Sequence, residues 1–338
     1  MSSAERYRES GVDLDAADRT KRRIASAVAS TRTELSKGVV GGFGGMVSLP
    51  AGLVDPLLVM STDGIGTKVL VAIQASRNDT VGEDLVNHCV NDVLVHGASA
   101  LAFQDYIAGN DIGEQVTTDL VAGIARGCKA HAMVLTGGET AQLPDLYQSG
   151  HYDLAGTIIG VVSEQQAIHG DRIAPGDQLV AYASSGLHTN GYTLARRVLL
   201  EEMRLELDAP FPESGDTVAE QLLQIHRSYA AVISPLLGKI NGLAHITGGG
   251  IEGNLSRVLP EGCGAIIDRA SWEVPNVFRV LEEGGLIVSS EMFRVFNMGV
   301  GMIAVATAAV VPELVSSAAP GDAWVVGEVV SGEGVSIA

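Results

Sequence analysis

The chain has 338 residues, of which 46% are hydrophobic and 18% charged, with 41 glycines and a formal net charge of −18. This length and composition predict two ordinary α/β domains and exclude a disordered or fibrous chain, while the acidic balance disfavours nucleic acid or an anionic membrane as a partner. Three widely spaced cysteines, a charged N-terminus and the lack of a long apolar run predict a cytoplasmic protein with no disulfide framework, structural zinc site or membrane span.

The first half of the chain alternates strands and helices. Its hydrophobic periodicity predicts a short helix around 24–28, strands at 57–62, 100–108, 132–136 and 152–162, and helices at 82–96 and 117–131. Loop residues at 164–176 predict a boundary between an N-terminal domain, 1–168, and a C-terminal domain, 169–338.

The second half repeats this alternation. A strand starts at Gln178, and the later pattern predicts helices at 191–203, 217–238, 252–258 and 275–283, with strands at 263–268, 297–306 and 323–330.

A glycine-rich loop precedes the first strand. It contains Gly41, Gly42, Phe43, Gly44 and Gly45. The dinucleotide fingerprint fails, because valine stands where glycine or alanine is required. We expect a mobile loop that closes over a nucleotide, with Phe43 as the side chain that it buries.

The first strand ends at a chemically unusual segment, "LLVMSTDGIGTK", residues 57–68. Asp63 and Gly64 predict a turn that lets the backbone approach a ligand, so that Asp63 can hold a metal and Lys68 a phosphate. A tight Asp-Gly hairpin is the structural alternative. The spacing of glycine and lysine does not match a P-loop.

The helix predicted at 82–96 carries one polar stripe, formed by Asp84, His88, Asp92 and His96. A zinc site and a partly solvated helix face both explain it, and the solvated face is the more ordinary explanation. Asp92, beside Asn91, is a candidate magnesium ligand in either case.

A second strand end repeats the pattern of glycine followed by carboxylate. In "MVLTGGETAQLP", Gly137 and Gly138 are followed by Glu139 and Thr140. The carboxylates of Asp63, Asp92 and Glu139 are hard oxygen ligands of the kind that Mg²⁺ prefers. The sequence therefore predicts a magnesium site completed by the phosphates of ATP.

Two junctions in the second half have the donors of an anion-binding site. The first contains Ser184, Ser185, Gly186, His188 and Asn190, and it lacks the spacing of a nucleophile elbow. The second contains Gly248, Gly249, Gly250, Asn254 and Arg257. His188 and His245 are either acid–base groups or hydrogen-bonded structural histidines.

Taken in order, these segments resemble the phosphoribosylformylglycinamidine cyclo-ligase (aminoimidazole ribonucleotide synthetase) family. The resemblance runs from "YRESGVDLDAAD" through "GGFGG", "TDGIGTK", "DLVNHCVNDVLVHGA", "GGETAQLPDLY", "SSGLHTNGY" and "TGGGIEGNLSRVLP" to "FNMGVGM". The wider superfamily includes thiamine-monophosphate kinase. The chain has no cysteine before Cys89, unlike selenophosphate synthetases, and lacks the cysteine-containing tail of the hydrogenase-maturation relatives.

The resemblance implies an α/β fold with two domains, in which the N-terminal domain pairs with a second subunit to form the central β-barrel of a homodimer. It also implies ATP-dependent cyclisation of formylglycinamidine ribonucleotide to 5-aminoimidazole ribonucleotide. A small-molecule kinase and a non-catalytic nucleotide-binding subunit are the alternatives.

The resemblance also assigns site residues. ATP would lie under 41–45, against Asp63, Gly64, Thr67, Lys68, Asn91, Asp92 and 137–140, with Mg²⁺ near Asp63, Asp92 and Glu139. The ribose phosphate of the substrate would lie towards 184–191 and 248–257. The catalytic candidates are Lys68, His188 and His245.

Overall fold

The computed structural model describes residues 14–37 and 43–338. Gly41 and Gly42 of the predicted nucleotide loop lie outside these residues. None of the helices in the two described ranges is long and apolar enough to cross a bilayer.

The N-terminal part is built on a four-stranded sheet. Its elements are α1 Leu14–Ala29, β1 Ser36–Lys37, β2 Met46–Val47, β3 Pro56–Gly64, α2 Lys68–Gln74, α3 Asp79–Leu94, β4 Ser99–Gly109, α4 Gly113–Ala130, β5 Val134–Gln142 and β6 Tyr152–Ser163. The order of the sheet is β3-β6-β4-β5, in which only β4 and β5 are parallel.

Among the described residues, helices cover one face of this sheet and leave the other open. Helix α3 packs against β3, β4 and β6, and it crosses α4 closely at Gly82 and Gly123, where a Cβ on either glycine would collide with backbone of the opposite helix. On the uncovered face, alternation along β3 leaves the apolar side chains of Leu58 and Met60 exposed.

The C-terminal part is built on a six-stranded sheet of order β12-β9-β11-β7-β10-β8, antiparallel except for β12 and β9. Its elements are β7 Gln178–Ala183, α5 Tyr192–Arg196, which continues as a π-helix over Arg197–Glu202, α6 Val218–Leu222, α7 Ala230–Ile233, β8 Gly242–His245, α8 Gly250–Leu255, β9 Cys263–Ile267, α9 Asn276–Gly284, α10 Ser289–Val295, β10 Val300–Ala306, α11 Val311–Ser316, β11 Ala323–Ser331 and β12 Val335–Ile337.

The single helix predicted at 217–238 is wrong. The segment divides into α6, an irregular stretch at 223–229, α7 and a 3-10 turn at Ser234–Lys239 that contains Pro235. The irregular stretch uses its main-chain groups to bind side chains of α3, which prevents them from closing helical hydrogen bonds. Helices α2, α10 and α11 and strands β8 and β12 were not predicted.

Candidate active site

Two carboxylates meet at the end of β3. Ser61 and Asp63 lie on the face of the strand that α3 covers, and Ser61 Oγ is 2.8 Å from Asp63 Oδ2 and 3.0 Å from Asp92 Oδ2. One hydroxyl hydrogen can serve only one of these carboxylates at a time. A cation would satisfy both, and two carboxylates with a hydroxyl form an oxygen donor set that fits Mg²⁺.

Glu139 does not join this pair within the chain. The cross-strand register aligns Asp63, Gly156, Asp105 and Gly138 in one row, which places their Cα–Cβ directions on one face of the sheet. Glu139 follows Gly138 and therefore points to the opposite face, where it is exposed. Within one chain, Glu139 therefore lies on the other side of the sheet from Asp63, and its role as a third metal ligand stays a prediction.

Gly45 of the nucleotide loop lies beside β5. A Cβ on Gly45 would collide with the side chain of Thr136, which precedes Gly137 and Gly138, whereas Gly44 faces open space. Thr140 is exposed further along the strand. Phe43 is fully exposed in the single chain, and its burial when the loop closes over a nucleotide stays a prediction.

Strand β3 does not end in the tight Asp-Gly hairpin that was the structural alternative for Asp63 and Gly64. Gly64 is the last residue of β3, and the turn comes two residues later at Gly66, which has φ +62°. The chain then enters α2, and Thr67, just before it, has its hydroxyl 3.0 Å from that of Thr193 at the start of α5. The two halves of the chain therefore touch beside Asp63.

Lys68 is placed differently from the prediction. Its ammonium is fully buried, pairs with Asp84 Oδ2 at 2.8 Å, and donates to the carbonyls of Gln224 at 2.7 Å and His188 at 3.2 Å. Burial lowers the pKa of Lys68 and raises that of Asp84, and their mutual attraction opposes both shifts. All three N–H groups are engaged, so the predicted phosphate contact and catalytic role do not fit this structure.

The polar stripe of α3 is an interface between the two halves of the chain. Asp84 accepts from the N–H of His226, Asn87 donates to the carbonyl of His226, and Asn91 binds the main chain of Arg227 and Tyr229. The solvated helix face is therefore wrong for residues 84–91. The four-residue zinc stripe is also wrong, because His96 lies beyond the end of α3 and is exposed.

Four imidazole rings gather where α3 meets the C-terminal part. His88, His226 and His245 have ring centroids 5.1–5.2 Å apart, and His188 stacks on His226 at 3.9 Å. His245 Nδ1 is 2.7 Å from Asp92 Oδ1. Although burial opposes its ionisation, the hydrogen bond and charge of His245 hold the pKa of Asp92 well below its ordinary range.

His188 does not have the environment of a catalytic acid or base. It is buried with φ +61°, its Nε2 accepts from the N–H of Ser185 at 3.2 Å, and its Nδ1 lacks a partner among the described residues. Burial lowers its pKa well below the ordinary value. The structure thus favours the structural alternative for His188, while His245 directly contacts Asp92.

The two predicted substrate junctions lie side by side. A Cβ on Gly248 would be 3.4 Å from Asn190 Oδ1. Gly249 and Gly250 adopt φ of +98° and +65°, and Arg257 is exposed. Asn254 is buried and its amide binds the carbonyls of residues 247, 248 and 250, so it holds the turn instead of facing a ligand.

The segment at 184–190, called the serine loop here, is held by Asn297, a residue that the sequence did not single out. Asn297 Nδ2 donates to the carbonyl of Gly186 at 2.8 Å, and Asn297 Oδ1 lies 3.0 Å from Ser184 Oγ. Ser185 Oγ donates to the carbonyl of Ile225 at 2.5 Å. Both hydroxyls are therefore engaged within the protein; Gly186 is buried, and Asn190 is partly exposed.

Two more residues of the site escaped sequence reasoning. Ser61 offered one signal, since it lies two positions before Asp63 and so shares its strand face. His226 offered none, because it was a single histidine inside a stretch that was predicted to be helical.

Comparison with known families agrees with this arrangement. The family model for the N-terminal domain of AIR synthase related proteins matches residues 50–162, and the model for the C-terminal domain matches residues 174–338. Fold and matches together define a two-domain protein of the AIR synthase related class.

Relatives that match over most of their length identify the family within this class. The chain is 48% identical over 331 residues to the phosphoribosylformylglycinamidine cyclo-ligase of Sorangium cellulosum, covering 96% of this chain and 95% of the relative. It is 44% identical to the protein of that name from Trichlorobacter lovleyi, with the same coverage. The chain belongs to the phosphoribosylformylglycinamidine cyclo-ligase family.

Solved structures share the fold at low identity. Thiamine-monophosphate kinase from Stenotrophomonas maltophilia superposes with a TM-score of 0.69 at 18% identity, covering 95% of this chain and 94% of that one. The hydrogenase maturation protein HypE in complex with ATP gives 0.64 at 17%, covering 92% and 86%. Both demonstrate a common fold.

Proposed function

We propose that the chain catalyses the ATP-dependent cyclisation of formylglycinamidine ribonucleotide to 5-aminoimidazole ribonucleotide, with release of ADP and phosphate, in purine biosynthesis. The observation that carries this proposal is 42–48% identity to proteins named as this cyclo-ligase, in each case over most of both chains. The paired carboxylates at the junction of the two halves support it.

The reaction needs a better leaving group than an amide oxygen. The γ-phosphoryl group of ATP would pass to the formamide oxygen, and ADP would leave. The amidine nitrogen would then attack the formamide carbon and lose a proton, and the carbon–oxygen bond would break as inorganic phosphate departs. Positioning the two nitrogen-bearing arms for ring closure supplies much of the acceleration.

Asp63 and Asp92 would hold the magnesium ion. When bound, Mg²⁺ neutralises charge on the transferring phosphoryl group and orients it. His245 acts in this scheme as a positioning residue, since its Nδ1–H holds Asp92 Oδ1 and leaves Oδ2 directed towards Ser61. Lys68 and His188 have no place in the chemistry, because both are buried and hydrogen-bonded within the protein.

The ribose phosphate would bind at the paired junctions. Asn190 from one junction lies beside Gly248 from the other, and Gly248 and Gly249 are exposed, so a side-chain amide and a glycine turn face a common space. Arg257 is an exposed cation just after α8. These groups supply locally the positive potential that an acidic protein lacks overall.

The open sheet face supports a homodimer. Leu58, Met60 and Tyr106 are exposed apolar or aromatic side chains on this face, and Glu139 shares it. We propose that a second copy covers this face and closes the two sheets into a barrel, which would bring Glu139 and the glycine loop to the interface. The free cysteines agree with a reducing cytoplasm.

Asp63→Asn tests the function. The purified variant should fold and form the same oligomer, yet lose aminoimidazole formation from formylglycinamidine ribonucleotide, ATP and Mg²⁺. Asp171→Asn, an exposed aspartate between the two sheets, is the matched control and should retain wild-type turnover.

Turnover by the variant tests the metal role, and the products formed by the wild-type protein distinguish a cyclo-ligase from a kinase and from a non-catalytic subunit. Normal turnover by Asp63→Asn would refute the metal role. Wild-type protein that phosphorylates a small molecule without releasing phosphate would be a kinase, and protein that binds ATP but consumes none with this substrate would be a non-catalytic subunit.

A further inference from the structure

His88 directs a ring nitrogen at the carboxylate pair. It lies one helical turn before Asp92 on α3 and is buried, and its Nε2 is 3.4 Å from Asp63 Oδ1 and 3.9 Å from Asp92 Oδ2. Ligand atoms bound to a metal at about 2.1 Å lie about 3.0–3.4 Å apart in octahedral or tetrahedral geometry. The separation of Nε2 from Asp63 lies at the upper end of this range, and its separation from Asp92 is slightly longer.

The second ring nitrogen of His88, Nδ1, makes a hydrogen bond within the protein, as the second ring nitrogen of a metal-binding histidine usually does. His88 Nδ1 is 2.7 Å from Thr189 Oγ1, a buried hydroxyl of the serine loop. The threonine oxygen has two lone pairs and can accept from His88 and from His226 Nδ1, which is 3.3 Å away, at the same time. With its proton on Nδ1, His88 presents the Nε2 lone pair to Asp63 and Asp92.

The orientation of Asp92 is fixed by His245. His245 binds the Oδ1 atom of Asp92, and Oδ2 faces His88 and Ser61. The side chains of Asp63 and Asp92 are partly exposed, whereas that of His88 is not. A cation here would be enclosed by protein on one side and open to phosphate and water on the other.

We propose that His88 Nε2 is a nitrogen ligand of the metal ion held by Asp63 and Asp92, and that the site therefore prefers transition ions such as Co²⁺ to Mg²⁺. The inference rests on the proposed metal role of these two aspartates and adds a nitrogen ligand to their oxygen ligands. Imidazole is a borderline donor that strengthens binding along the first transition row, while Mg²⁺ favours oxygen and gives up water reluctantly.

Mn²⁺ is the probe for the test, because it binds oxygen and nitrogen ligands and is paramagnetic. The protein carries no histidine tag and is loaded without ATP or substrate. Pulsed electron paramagnetic resonance should reveal ¹⁴N coupling to Mn²⁺ in wild type and in the control His169→Gln, an exposed histidine. His88→Gln should bind Mn²⁺ without that coupling, and its preference for Co²⁺ over Mg²⁺ should fall by about tenfold or more.

Each result decides a separate point. Mn²⁺ bound by wild type without ¹⁴N coupling, or coupling that persists in folded His88→Gln, overturns the role of His88 and leaves the aspartate pair intact. If wild type retains no Mn²⁺, or Asp63→Asn retains as much, the metal pair itself is wrong and the inference falls with it. The wild-type spectrum decides the matter even if His88→Gln does not fold, which circular dichroism would reveal.

Discussion

Removing the charge of Lys68 should destabilise the protein strongly. Lys68→Met leaves the carboxylate of Asp84 fully buried with one remaining hydrogen bond, from the N–H of His226, and removes a donor from two carbonyls. Breaking a buried ion pair from one side costs about 3–5 kcal/mol. For a domain of this size the melting temperature should fall by on the order of 10 °C.

The double variant Lys68→Met with Asp84→Asn should be more stable than the single variant. The asparagine side chain keeps an oxygen for the N–H of His226 and carries no charge, so the remaining loss is two hydrogen bonds to carbonyls, about 1 kcal/mol each. The single variant should also weaken as pH rises. Burial raises the pKa of Asp84, so the folded state must ionise it at a higher pH than the unfolded state.

Urea unfolding at pH 5.5 and pH 8 measures these differences. Fluorescence of Trp272 and Trp324 and far-ultraviolet circular dichroism should be followed together, because a chain with two cores can unfold in two steps. A loss below about 1 kcal/mol in Lys68→Met, or a double variant less stable than the single, would refute a net contribution from pairing these charges.

Three further changes test other parts of the structure. A Cβ on Gly301 would occupy the position of the Tyr229 hydroxyl, so Gly301→Ala should lower the melting temperature by several degrees, whereas alanine at the open position Gly253 should not. Burial raises the pKa of Asp105 to about 7. The folded state therefore keeps a proton that the unfolded state has lost between about pH 4 and pH 7, so stability falls as pH rises through this range, and Asp105→Asn should flatten that slope in thermal melts. Met60→Glu puts a charge on the open sheet face, so sedimentation should show a monomer, and an unchanged dimer would mean that the partner lies elsewhere.

The elements with strong periodicity were predictable, and those shaped by contacts from distant residues were not. Helix α3 and strands β3, β4 and β6 have long apolar patterns that occur close to the predicted ranges. Residues 217–238 have a helical pattern too, yet their main chain at 223–229 is bound by the side chains of Asp84, Asn87 and Asn91. No local pattern reveals that competing set of hydrogen bonds.

The same distinction applies to the site. Asp63 and Asp92 were found because each carboxylate follows or lines a core element. The direction of Glu139 was not predicted because β5 continues to Gln142, beyond the predicted end at 136, and the pleat then determines it. Lys68 was misplaced because α2 begins at this residue and turns its side chain into the interior.

Many of the hydrogen bonds that hold residues 224–229 against the N-terminal part join side chains of that part to main-chain groups of the loop. Side chains of Lys68, Asp84, Asn87 and Asn91 bind N–H and C=O groups of the loop, and these groups are the same for almost any residue placed there. Gln224 contributes only its carbonyl to this contact, so many side chains should be tolerated at that position. Part of the alignment of the two halves is thus encoded on one helix and its neighbour, and at Gln224 the facing loop can change its side chain without losing this hydrogen bond.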